Sequence, residues 1–181
     1  MRFSAKNYGF VFLIGIVLAA WAAFFYFVPP ETVISRIGVH NSYLASFLIA
    51  LLGGFSSITG ASFYAAVITF AKGGADPLLL GLAGGLGLFA SDSLFYWAAS
   101  KGKDLVGQRW RKLFQRLEQW VSRVSSPLAY LGIFAYTAFA PMPNDVLLAV
   151  LAASSFSYRK FAWALLAGDL SMALLLSHLG R

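Results

Sequence analysis

The chain is predicted to be an all-α integral membrane protein, with three spanning helices, two opposed re-entrant helical hairpins and a cytoplasmic amphipathic helix. Three observations carry this. Of 181 residues, 59% are hydrophobic, 17% aromatic and only 12% charged, against about 45–50% apolar and about 25% charged in soluble domains. The apolar residues fall in blocks of the length, about 20 residues, that a helix needs to cross a bilayer. Two of the five blocks are broken near their middles by residues that interrupt helices. A soluble enzyme, a nucleic-acid-binding module and a disulfide scaffold are thereby excluded, the first two by composition and the last by the absence of Cys.

The first block, Gly9 to Val28, follows a short basic head with Arg2 and Lys6. Its apolar run exceeds the 7–15 residues of a signal core, and no small-x-small cleavage site precedes Pro29-Pro30. Residues 1–30 are therefore expected to be a retained N-terminal transmembrane helix, followed by a membrane domain over 31–180. The blocks Pro77 to Ala99 and Phe161 to Leu179 read as plain spans.

The blocks 43–71 and 128–154 read differently. The first is broken by the run from Gly53-Gly54 through Ser56, Ser57 and Thr59 to Gly60, the second by Pro141-Met142-Pro143-Asn144-Asp145. Proline removes amide donors and restricts its predecessor. Two half-length helices around each break predict re-entrant hairpins, whose irregular backbone must be buried in protein or line a wet cavity.

Charge placement supports that topology. With a cytoplasmic N-terminus and two hairpins, eleven of the 14 Lys and Arg lie on the cytoplasmic side, and only Arg36, Lys72 and Arg181 lie outside. Five full spans would divide them nine to five, a poorer fit to the positive-inside rule. The two hairpins then enter from opposite faces, as discontinuous helices do in transporters built from inverted repeats.

Between the halves, residues 104–124 place Val106, Trp110, Leu113, Phe114, Leu117, Trp120, Val121 and Val124 at spacings of three and four. Arg109, Arg111, Lys112, Arg116 and Arg123 fill the other face. This is the pattern of an amphipathic helix on the membrane surface, with anionic lipid headgroups as its partners. Nucleic acid is not an expected partner, and a homo-oligomer is compatible with the composition.

Three acids fall within apolar blocks: Asp92, Asp145 and Asp169. Intramembrane carboxylates cost about 2.5–3.5 kcal/mol on insertion scales and mark functional sites by default. Asp92 and Asp169 are candidates for proton coupling, with Tyr96 one turn after Asp92 as its support. Both also admit a purely structural reading as buried interhelical acids. No Lys or Arg is available at their depth, so they are expected to be protonated, solvated by a cavity, or both. Asp145 or Asn144 is placed to cap the half-helix that follows, which is compatible with contact to an anionic substrate. Ser56, Ser57, Thr59 and Gly60 in one break, with Pro141, Pro143, Asn144 and Asp145 in the other, are the candidate substrate-binding set. Asp76-Pro77 and Ser126-Pro127 read as helix starts. Gly81, Gly84, Gly85 and Gly87 predict close helix approach. No metal, cofactor or enzymatic constellation is expected, since no His–Glu cluster or Gly-x-Ser-x-Gly elbow occurs.

The residues Gly84 to Gly102, with Gly87, Asp92, Tyr96 and Gly102, resemble the "G…GD…Y…G" signature of the DedA/VTT (SNARE-associated Golgi domain) membrane proteins. Tyr130 to Phe134 with the Pro141–Asp145 break looks like that family's second re-entrant region, and Phe156 to Gly168 like the run into its final span. The resemblance covers roughly residues 45–180 and carries over Gly60, Asp92, Pro141, Pro143 and Asp145. It implies a divergent member of a family implicated in moving or scrambling lipids, including polyprenyl-phosphate, in some bacterial members with the proton motive force. Two positions depart from the pattern: Ala61 stands where the family's first hairpin carries an acid, and Phe139-Ala140 stands where an arginine precedes the second hairpin's proline. The expected function is transport or lipid translocation in a plasma membrane, the inner membrane of a bacterium. The alternative is a non-transporting scaffold or envelope-homeostasis protein that keeps the fold.

Overall fold

A computed structural model describes residues 30–53, 57–102, 126–140, 144–153 and 157–180. They form seven helices and no strand: α1 Pro30–Ile37, α2 Val39–Gly53, α3 Ser57–Lys72, α4 Pro77–Gly102, α5 Ser126–Phe139, α6 Asn144–Ala153 and α7 Tyr158–Leu179. The expected first span (9–28) and amphipathic helix (104–124) lie outside the described residues, as do Ser56, Pro141 and Pro143.

Two helices, Pro77–Lys101 and Tyr158–Leu179, are long and apolar enough to cross a membrane. They correspond to the predicted spans 77–99 and 161–179, each extended by a few residues at the end where Gly102 and Tyr158 lie. Large apolar side chains face outward along them, Leu78, Leu82, Leu86, Leu94 and Trp97 on α4 and Trp163, Leu175 and Leu179 on α7. The chain is compatible with a membrane protein.

These two helices pack against each other antiparallel along a seam without side chains on one side. A Cβ on Gly81 would lie 2.8 Å from the Cα of Leu174, and one on Gly85 2.7 Å from the Cα of Leu170. The spacing Gly81-x-x-x-Gly85 thus brings two backbones together, as small-x-x-x-small patterns do between membrane helices. Gly84 and Gly87 turn toward α2 and α3, where added Cβ atoms would strike Phe63 and Ala50. The close approach expected from the glycine run is present, and it serves three neighbours of α4 at once.

The broken block 43–71 becomes the antiparallel pair α2 and α3, starting earlier than predicted, at Val39. Ala50, Phe63, Val67 and Ala173 form one buried cluster, and Ala66, Phe70, Ala71, Ala75 and Leu80 another. The turn into α4 is a Schellman motif: Gly74, at φ +95°, donates to Ala71 O at 3.1 Å and Ala75 to Phe70 O at 3.1 Å. Asp76 then caps α4, its Oδ1 accepting from the Leu79 amide at 3.0 Å, with Pro77 in the first turn. The short helix α1 was not expected from the sequence. Its eight residues fall outside every apolar block, although Val33, Ile34 and Ile37 give them an amphipathic helical pattern that the block reading passed over.

The second broken block becomes α5 and α6, and these arms divide between the long helices. α5 packs chiefly on α7 and α6 on α4. A Cβ on Gly168 would collide with Thr137 of α5. Ile133, Leu148, Leu151 and Leu165 close a third cluster around Tyr96 and Phe161, towards the Gly102 end of α4.

Gly85→Ala should destabilise the protein by about 1–3 kcal/mol through overpacking against the α7 backbone. Gly132, also helical but with nothing within 4 Å of an added Cβ, is the control: Gly132→Ala should be neutral or stabilising by up to about 1 kcal/mol. Unfolding in detergent would compare the two, and equal effects would contradict the seam.

Candidate functional site

Hydroxyl groups inside this helix packing are mostly satisfied by their own helix. Ser42, Thr69, Ser93, Thr137, Ser171 and Ser177 each donate to a carbonyl three or four residues back. Against that background the exceptions are informative. Ser46 Oγ, Ser91 Oγ and both carboxylate oxygens of Asp169 are buried with no hydrogen-bond partner among the described residues, and such groups ordinarily find one.

Asp92 and Asp169 are 2% and 1% exposed, so both are inside the protein rather than facing outward. Helix register explains why. Leu88, one turn before Asp92, borders the cluster of Ala50, Phe63, Val67 and Ala173, while Tyr96, one turn after it, belongs to the cluster with Phe161. Asp169 repeats this arrangement, with Leu165 in the latter cluster and Ala173 in the former. The two acids therefore occupy a polar layer between two apolar clusters.

The acids are close but not in contact. The Asp169 carbonyl lies level with Gly85, and Asp92 follows Gly85 by seven residues, about 10 Å along a helix. They lie within electrostatic reach of each other, and Tyr64 of α3 lies within reach of both. Asp145 lies within similar reach of Asp92. Asp92 also has a direct partner. The Asn144 amide Nδ2 donates to its Oδ2 at 2.7 Å, joining the middle of α4 to the first residue of α6.

Both chain breaks end at this layer. α2 runs parallel to α4, since Gly84 faces Ser46 and Gly87 faces Ala50; its last residue, Gly53, thus reaches the level of Ser91 and Asp92. From the opposite direction α6 begins at Asn144, against Asp92, and α5 ends beyond Thr137, which touches Gly168 beside Asp169. The described ends of α2 and α5 thus approach the buried acids from opposite ends of the α4–α7 pair.

Of the predicted site residues, Asp92 and Asn144 are in direct contact, Asp169 lies about two helical turns further along, and Asp145 sits in the first turn of α6. Asn144 reaches across to Asp92. Tyr96 packs among aromatic rings, its centroid 5.3 Å from that of Tyr158 and 5.2 Å from that of Phe161. Ser57, Thr59 and Gly60 lie in the first turn of α3. Sequence reasoning missed Tyr64, Ser46 and Ser91. Tyr64 carried a weak signal, a phenol inside an apolar run, whereas serines occur throughout these helices and only burial separates the unsatisfied ones. Among the described residues no three His, Asp or Glu converge on a metal position.

No protein-family model matches the chain, and neither curated proteins nor solved structures show significant similarity to it.

A buried acid with no partner costs stability, so Asp169→Leu should stabilise the fold, by about 1–3 kcal/mol. Asn144→Ala should do the reverse, by a similar amount, because it strands Asp92. Paired unfolding measurements of the two variants would check both signs, and a destabilising Asp169→Leu would show that the carboxylate has a structural partner.

Proposed function

We propose that the chain is a membrane transporter or lipid translocase of the DedA/VTT type, in which α2–α3 and α5–α6 are re-entrant hairpins between spanning helices. A plasma membrane is the proposed location, with the N-terminus cytoplasmic. The observation that supports this most is that α2 and α5 end, and α6 begins, near the buried acids Asp92 and Asp169. Burying two acids costs a fold stability, and membrane-depth acids belong to proton and substrate pathways. Discontinuous helices meeting near the midplane are where transporters place such sites.

The arrangement gives the proton a mechanical role. An ionised Asp92 accepts a charge-assisted bond from Asn144, stronger than a neutral one. Proton binding to Asp92 weakens that bond and loosens α6 from α4, while Asp169, about 10 Å away, offers the next carboxylate on a path between the two ends. Opening one hairpin tip at a time is the requirement for alternating access.

A scaffold without transport is the second reading, favoured by Ala61 in place of the family's hairpin acid and by Phe139-Ala140 before Pro141. One assay separates the two. In vesicles carrying the purified protein and a proton gradient, movement of labelled phospholipid or polyprenyl-phosphate should exceed that of empty vesicles. Asp92→Asn and Asp169→Asn should each reduce it at least about tenfold, a transition-state loss of about 1.4 kcal/mol. Flux equal to that of empty vesicles under both gradient polarities would leave the scaffold.

A further inference from the structure

The Pro77 end of the helix assembly holds a cavity of about 620 Å³ lined by Tyr43, Ala71, Lys72, Gly74, Ala75, Asp76 and Pro77. Its size falls within the range of about 300–1,000 Å³ typical of small-ligand sites. The cavity is built by the α3–α4 turn, whose Schellman geometry holds Lys72 at the end of one helix and Asp76 at the start of the next. Both side chains are exposed, and no ion pair joins either of them to another group among the described residues. Asp76 Oδ1 is occupied by the Leu79 amide, which leaves Oδ2 for a ligand. Tyr43 is fixed by the Asp76 amide, which donates to its hydroxyl at 3.1 Å, and by the His40 ring 6.4 Å away.

The surroundings of this polar cavity are apolar and outward-facing. Leu44 follows Tyr43 and is 58% exposed; Leu78 and Leu79 follow Pro77 at 54% and 50%. From Leu78 the exposed stripe continues at four-residue intervals through Leu82 and Leu86, reaching the level of Gly85 and hence of Asp169. A cavity with one cation, one anion and an aromatic wall, opening onto a leucine stripe, matches an amphipathic ligand that carries both charges.

We infer that this cavity binds the headgroup of a zwitterionic phospholipid, with the phosphate on Lys72, the ammonium on Asp76 and Tyr43, and an acyl chain along Leu78, Leu82 and Leu86. The ammonium is held by the free carboxylate oxygen and the ring face, and the phosphate by the lysine as a point charge. The inference rests on the membrane reading above and names the lipid class that this end of the protein takes up. A polyprenyl-phosphate or phosphatidylglycerol offers Lys72 the same phosphate but leaves Asp76 facing a ligand without a cation.

Native mass spectrometry of the full chain in detergent, titrated separately with phosphatidylethanolamine, phosphatidylglycerol and a polyprenyl-phosphate, tests this. The expected result is preferential binding of phosphatidylethanolamine. Asp76→Asn, which keeps an equally good helix cap, should lower phosphatidylethanolamine binding about two- to fivefold and abolish the preference. Lys72→Gln should weaken all three lipids by about the same factor, the range of exposed ion pairs. Equal binding of the three lipids by the unaltered chain, or unchanged binding by both variants, would overturn the assignment. Binding and flux are separate readouts: selective binding without flux keeps this site and removes the translocase, and flux without selective binding does the opposite.

Discussion

The close approach of α4 and α7 over Gly81 and Gly85 sets the position of everything else. Both helices are long and apolar enough to cross a membrane, and between membrane helices association depends on packing and on satisfied polar groups. Two glycines one turn apart let the backbone of α7 settle at Leu170 and Leu174 where any side chain would hold it off. Because the register is fixed there, Asp169 lies level with Gly85 and Asp92 seven residues further along. The separation of the acids is thus a consequence of glycine spacing.

The same economy appears on the other faces of α4. Gly84 and Gly87 admit Phe63 and α2, and Gly168 of α7 admits Thr137 of α5. Each long helix therefore accepts a half-length neighbour at a glycine, and the half-length helices end where the polar layer begins. Apolar clusters lie on either side of that layer. They bury both acids, and among the described residues Asn144 supplies an amide that tethers Asp92. Asp169 carries a stability cost, because its oxygens have no hydrogen-bond partner among the described residues.

Much of this was legible in the residues. The helix start at Asp76-Pro77, the glycine contacts of α4, the two long apolar helices and the division of both broken blocks into half-length helices follow from short-range chemistry, and the structure contains each of them. Asn144 and Asp145 were recognised as helix-start residues, but Asn144's bond to Asp92 spans 52 residues of sequence and has no local signature. Tyr64, Ser46 and Ser91 gave too little contrast with their neighbours, because phenols and hydroxyls are common in apolar helices when the backbone can satisfy them.

By itself the sequence determined the all-helical class, two helices long and apolar enough to cross a membrane, and the short list of acids inside apolar blocks. These are properties of hydropathy, proline and glycine that act over a few residues. Only the tertiary structure decided which acids share a layer, which amide reaches them, and that Lys72 and Asp76 border one cavity beside an exposed leucine stripe. Such relations depend on the register between helices far apart in the chain, and register is set by side-chain volume at contact points that no periodicity records.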